Sequence, residues 1–327
     1  MALTEELAGA PETARVKKAV VRGAVAIFPD GSRIGRSYGD RPGCVIERND
    51  FDDHLRRAAE REGAEVVEGV SVRRLIFEEG RCKGAVGSDF SWSADVVIVA
   101  NGSPSLAADA LGAAPPEPTA IGTSATMYFR ALAEPIDRNY SEHYFEKALP
   151  TGYAWIFPEV DGRANVGVYL RVDRYHENKV RLRTLLDDFV RSRPERFAHA
   201  RPDGAMRAWS LPLATYRPPP CGPGVLSCGD AGRMIDPLTG EGIWHALHSG
   251  KLAGRLAAAA LGGGRAARDL VHAYERAVER EVMWPTALRR ALEATVTFVV
   301  AHDLYRSAAV RGALRWGYRR SVLEVSK

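Results

Sequence analysis

Residues 228–250 read CGDAGRMIDPLTGEGIWHALHSG and pack a strand end, a turn and a helix start around one aspartate, Asp230. The preceding GVLSCGD has the texture of a buried strand that delivers Asp230 at its carboxyl end. PLTGEGI then places Pro237, Thr239, Gly240, Glu241, Gly242 and Ile243 at the entry to the amphipathic helix IWHALHSGKLAGRL. A helix N-terminus aims free N–H groups outward and favours negative charge, and glycines let a planar ring approach the backbone closely. A reduced flavin, with its anionic N1–C2=O edge, is one such ring. The plainer alternative makes Asp230 a turn former and Thr239 an N-cap.

Outward from this stretch the chain reads as α/β. A helix over Phe51–Glu62 carries Leu55, Ala58 and Ala59 at helical spacing, and Gly63 leads into an expected strand, AEVVEGV, at 64–70. A hairpin follows (VRRLIFEE, GRCKGAVG), then ADVVIVANG, the short apolar run of a buried parallel strand, which opens a ligand crevice at its carboxyl end. From Thr123 to Leu213 the texture changes to aromatic-rich strands, SATMYFRAL, EHYFEKAL, GYAWIFPE and RANVGVYL, broken by the helix VRLRTLLDDFVRSR. These strands predict an inserted antiparallel layer. The helix Gly242–Leu261, the loop GGGRAARD and a helical tail complete the chain.

Composition narrows the function classes. With 327 residues, 46% hydrophobic and 26% charged, the chain is long enough to bury a sizeable core. Its net charge of +4 arises from near-balanced acids and bases with no basic stripe interleaved with aromatics, so a small molecule rather than nucleic acid is the expected partner. The four cysteines, Cys44, Cys82, Cys221 and Cys228, form no CxxC pair, which argues against a zinc site or a disulfide framework and fits a reducing cytoplasm. No signal peptide or membrane-spanning run is read.

GDAGRMIDPLTGEGIWHALHSG resembles the GDAAG…P-L-T-G-E-G-I…A…S-G segment of the geranylgeranyl reductase family, in the flavoprotein class typified by para-hydroxybenzoate hydroxylase. CVIERNDFDDHL resembles the family's v-x-R-x-x-F-D-x-x-L segment, ADVVIVANGSPS its A-D-G-A-x-S segment, and GYAWIFPEVDGRANVGV its Y-x-W-x-F-P…G-x-G substrate-side motif. The resemblance implies that Asp230 binds the ribityl chain of FAD and that the turn Pro237–Ile243 lies against the isoalloxazine. It places Arg48, Asn101, Gly102 and Gly229 near the cofactor. Tyr153, Trp155, Phe157 and Tyr169 would line the cavity in which an isoprenoid double bond meets flavin N5. Asn101 stands for the family's aspartate, Arg233 for a frequent glycine, and Tyr169 for the second glycine of G-x-G.

No GxGxxG occurs in the sequence. In the family this phosphate loop opens the chain within a strand–helix–strand unit, so the resemblance implies that the present sequence begins inside the family's pattern. Flavin halogenases carry G-W-x-W-x-I-P where this chain has GYAWIFP, and their catalytic lysine lies in the part absent here, which disfavours halogenation.

The expected fold is α/β (α+β): a Rossmann-like FAD-binding domain in two parts, 1–118 and 216–262, an inserted antiparallel substrate sheet, 119–215, and C-terminal helices, 263–327. The expected function is an FAD-dependent oxidoreductase passing hydride from reduced flavin to an alkene of a small hydrophobic, isoprenoid-like substrate, with NAD(P)H or another electron donor. The alternatives are a flavin monooxygenase of an aromatic or polyketide-like metabolite, and a flavin-free remnant that binds a hydrophobic ligand. The catalytic acid is not identified. His245 and His248 lie one helical turn apart, but no third ligand accompanies them and no metal is expected. The tail YRSAAVRGALRWGYRRS mixes arginines with Trp316 and Tyr318, which suits either peripheral membrane contact or a solvated helix face of a cytoplasmic protein.

Overall fold

The computed structural model describes residues 2–9, 15–16, 18–40, 42–133, 139–178, 181–215, 217–263, 267–284 and 286–320. The chain forms two compact units interleaved in sequence, one from Met1–Gly9, Ala58–Gly122 and Ser210–Leu292, the other from Ala10–Arg57, Thr123–Trp209 and Glu293–Lys327.

In the first unit, the expected strands Val97–Val99 and Val225–Ser227 pair in parallel, Val97 opposite Val225 and Val99 opposite Ser227, but Val97–Val99 is not buried throughout as expected: Ile98 stays 39% exposed in a sheet that has only these two strands among the described residues. Val225 and Leu226 are fully buried, each contributing about 1.5–3 kcal/mol of apolar burial where the side chain is large. Because the strands run the same way, Asn101 and Asp230 leave the sheet at the same end. The hairpin Val72–Glu78 and Arg81–Gly87 turns through Glu79 and Gly80, both at positive φ (48° and 75°), the conformation that matches strand twist in two-residue loops. The strand expected at 64–70 does not form. Val67 and Val70 stay 46% and 42% exposed, and with no strand paired to them among the described residues their β preference has no sheet to satisfy it.

Helix Ile243–Gly263 buries His245, Ser249, Leu252, Ala253 and Ala257, one face at helical spacing. Its small residues let it lie close to the strand end: a Cβ on Gly229, itself at φ +56°, would come within 2.9 Å of the Ala246 Cβ.

The second unit is built on a sheet whose hydrogen-bonded order is Arg201–Pro202, Ile121–Arg130, Arg163–Arg171, Tyr153–Pro158, Tyr140–Tyr144, Gly23–Ile27, Arg33–Ser37, with Arg207–Pro212 beside Ile121–Arg130. One junction departs from the expected antiparallel pairing, since Tyr140–Tyr144 runs parallel to Gly23–Ile27. Strands so far apart in sequence are free of the hairpin constraint that forces antiparallel neighbours. GAVAI at 23–27 is buried at every position because it is covered on both faces. Val25 and Ile27 join the core formed with Leu185, Leu186 and Phe189 of helix Leu182–Arg191, while Ala26 and Phe28 pack with Val299, Val300 and Tyr305.

Candidate functional site

Strand Val225–Ser227 ends in a helical turn over Gly229–Gly232, and Arg233 closes it in the left-handed region (φ 58°, ψ 50°). That conformation costs a side-chain-bearing residue about 1–2 kcal/mol and explains the family's frequent glycine at this place. Two buried hydroxyls fasten the turn. Ser249 Oγ accepts from Gly229 N at 3.0 Å and donates to His245 O at 2.6 Å, and Tyr274 donates to Ser227 O at 2.9 Å.

The loop that follows is organised by Asp236, which the sequence reading passed over. Its carboxylate accepts from Leu238 N at 2.8 Å and Thr239 N at 3.1 Å, and its backbone oxygen takes Gly240 N at 2.9 Å. Asp236, 1% exposed, also forms a buried ion pair with Arg289. The signal was available in Asp-Pro, a turn-initiating pair. Gly240 adopts φ +70°, and Gly242 abuts Asp230, whose Oδ1 would lie 3.1 Å from a Cβ there. The geometry sets an acceptor carboxylate beside the first turn of a long helix, whose N–H groups have no intrahelical acceptor. From the neighbouring strand end, Asn101 donates to Pro104 O at 2.7 Å and accepts from Leu106 N at 3.2 Å, with Gly102 at φ +77°. An aspartate at this position would lack the first of these donors.

Arg48 lies in the second unit, exposed at the start of helix Arg48–Arg61 and paired with Asp52 at 2.9 Å. The four expected aromatic residues there share one face of the sheet. Ring centroids are 5.9 Å apart for Tyr153 and Trp155, 5.8 Å for Trp155 and Phe157, and 5.8 Å for Tyr153 and Tyr169. Register explains the fit: Tyr153 faces Tyr169 across the ladder and Trp155 faces Gly167. A Cβ on Gly167 would meet the indole at 2.2 Å, so this glycine makes room for the tryptophan, whose Nε1 donates to Asn165 at 2.7 Å. The same face holds a residue not anticipated, His143, with centroids 5.5 Å from Tyr153 and 5.1 Å from Phe157. Burial pulls its imidazole down to about 4, so the ring is neutral near pH 7 and adds to a largely apolar wall. Period-2 alternation from buried Glu142 and Tyr144 could have found it.

His245 is buried and likewise pulled down to about 4 by desolvation and then by His248, which stacks on Trp244 and lies 3.3 Å from Glu281. Among the described residues no cluster of three or more potential ligands could hold a metal ion.

At the far end of strand Tyr153–Pro158, Glu159 is 8% exposed, and burial, followed by the nearby Glu47, pushes its carboxyl up to about 7. The unfolded chain therefore releases this proton at lower pH than the folded one, and stability is lost as pH rises from about 4.5 to 7. Glu159→Gln removes that loss. The variant's advantage over wild type in urea unfolding is expected to grow across this interval and stay level above it; an advantage independent of pH would refute the assignment.

Residues 123–202 match the geranylgeranyl reductase catalytic domain. Over 252 residues the chain is 29% identical to the digeranylgeranylglycerophospholipid reductase of Thermoplasma volcanium, covering 74% of this chain and spanning 61% of that protein's length. Over 287 residues it is 30% identical to the digeranylgeranylglycerophospholipid reductase of Methanoculleus marisnigri, covering 85% of this chain and 70% of that protein. Among solved structures, a geranylgeranyl bacteriochlorophyll reductase-like protein of Thermoplasma acidophilum superposes with a TM-score of 0.80 at 24% identity, over 94% of this chain and 77% of the other.

Proposed function

The chain belongs to the geranylgeranyl reductase family, and from that premise we propose that it is an FAD-dependent oxidoreductase that reduces an alkene of a hydrophobic, isoprenoid-like substrate. The observation that carries this reading is the aromatic wall of Tyr153, Trp155, Phe157 and Tyr169, which lies inside the segment matching the catalytic domain.

The residues around Asp230 fit the ribityl and isoalloxazine part of FAD. The carboxylate would accept from sugar hydroxyls, the helix N–H groups at Gly242 and Ile243 would hold the anionic edge of the ring, and Gly240 and Gly242 carry no side chain to keep it from the backbone. Gly229 and Pro237, with Thr239 and Glu241, shape the turn, and Asn101 and Gly102 at the neighbouring strand end would complete the cofactor set. When bound and reduced by NAD(P)H or another donor, FAD would supply the hydride. The wall packs the polyprenyl chain, orients its double bond and excludes water. No helix among the described residues is long and apolar enough to cross a membrane. Trp316 is 63% exposed in the arginine-bearing tail, which supports peripheral contact of that tail with lipid, whereas Tyr318 packs against the core around Phe28 and Ile34 instead of standing beside it.

Trp155→Ala tests the wall. Its loss should weaken binding of geranylgeraniol roughly tenfold, the scale of one lost apolar side chain. FAD binding, followed by flavin fluorescence, should remain as in wild type. Unchanged geranylgeraniol binding would remove the wall from the substrate site.

A further inference from the structure

A cavity of about 230 Å³ lies in the second unit, between the turn after strand Tyr140–Tyr144 and the C-terminal half of helix Thr286–Ala301. Phe145, Leu149, Pro150, Val296 and Val300 give it apolar walls. Four polar side chains line it, Thr297 on the helix side and three that are already engaged within the protein. Glu146 pairs with Arg193, Lys147 with Asp303 at 2.6 Å, and the Thr151 hydroxyl donates to Pro150 O at 2.5 Å. The cavity thus offers a guest more apolar than polar surface. Phe145 belongs both to this lining and to the edge of the aromatic wall, its ring centroid 6.3 Å from that of Tyr153. At this volume it is smaller than the roughly 300–1,000 Å³ of pockets that enclose a whole drug-sized ligand, so it suits one end of a longer molecule.

We propose that this cavity receives the terminal isoprene units of the substrate chain while an earlier double bond packs on Tyr153 and Trp155. The assignment rests on the reductase reading above and adds to it a physical limit on chain length. Shorter prenyl chains end on the wall and never reach the cavity; longer ones gain its apolar contacts.

Two measurements on the full chain test this. A geranylgeraniol bearing a diazirine at its terminal isoprene should, on irradiation, label peptides containing residues 145–152 or 296–301. Thr297→Trp, which fills the cavity from the helix side, should weaken binding of geranylgeraniol at least about tenfold and leave that of geraniol unchanged. Thermal melting of the variant establishes that it is folded. Saturable binding with labelling confined to other peptides, or equal effects of Thr297→Trp on both chain lengths, would overturn the cavity assignment and leave the reductase reading standing. Failure of wild type to bind any prenyl chain while FAD still binds would overturn both.

Discussion

Arg196→Met should destabilise the second unit by about 3–5 kcal/mol, the loss expected when one partner of a buried ion pair is removed. Arg196 Nη1 donates to both carboxylate oxygens of Glu142, at 2.8 and 2.6 Å, and Tyr144 donates to Glu142 Oε2 at 2.6 Å. Glu142 is 1% exposed on the strand face opposite His143, so the charge left behind is a buried one. Removing both charges as Glu142→Gln with Arg196→Met should recover much of the loss, because the isolated charge rather than the missing contact carries most of the cost. Urea unfolding of the two variants reads this out. A loss below about 1 kcal/mol for the single variant would mean that water reaches Glu142.

Asp230→Ala should lower FAD affinity by roughly 10- to 150-fold, since a hydrogen bond to a charged acceptor contributes about 1.5–3 kcal/mol. The carboxylate leaves the sheet beside Gly242 on a turn held by Ser249 and Tyr274, so its removal should alter the ligand contact more than the scaffold. Flavin fluorescence titration of wild type and variant gives the ratio. Equal affinities would show that Asp230 only shapes the turn.

The strand end and turn around Asp230 were legible because their determinants are neighbours in sequence: an apolar run, glycines at positions of positive φ and a helix start. The aromatic wall was legible for a similar reason, as period-2 alternation along GYAWIFP puts Tyr153, Trp155 and Phe157 on one face. What escaped depends on partners far along the chain. Asp236 holds its loop with Arg289, and Glu142 sits in the core only because Arg196 answers it. Gly23–Ile27 enters the large sheet in parallel beside Tyr140–Tyr144, a pairing that no local pattern specifies. The run at 64–70 misled for the opposite reason: it has the propensity of a strand and no partner strand among the described residues.

Product mass most directly tests alkene reduction. The full chain, supplied with saturating FAD, a chemical reductant and geranylgeraniol under strict exclusion of oxygen, should yield products heavier by two hydrogens for each double bond reduced, and none when FAD is omitted. Unchanged substrate mass while both FAD and geranylgeraniol are bound, or a product gaining one oxygen atom and formed only in air, would contradict it.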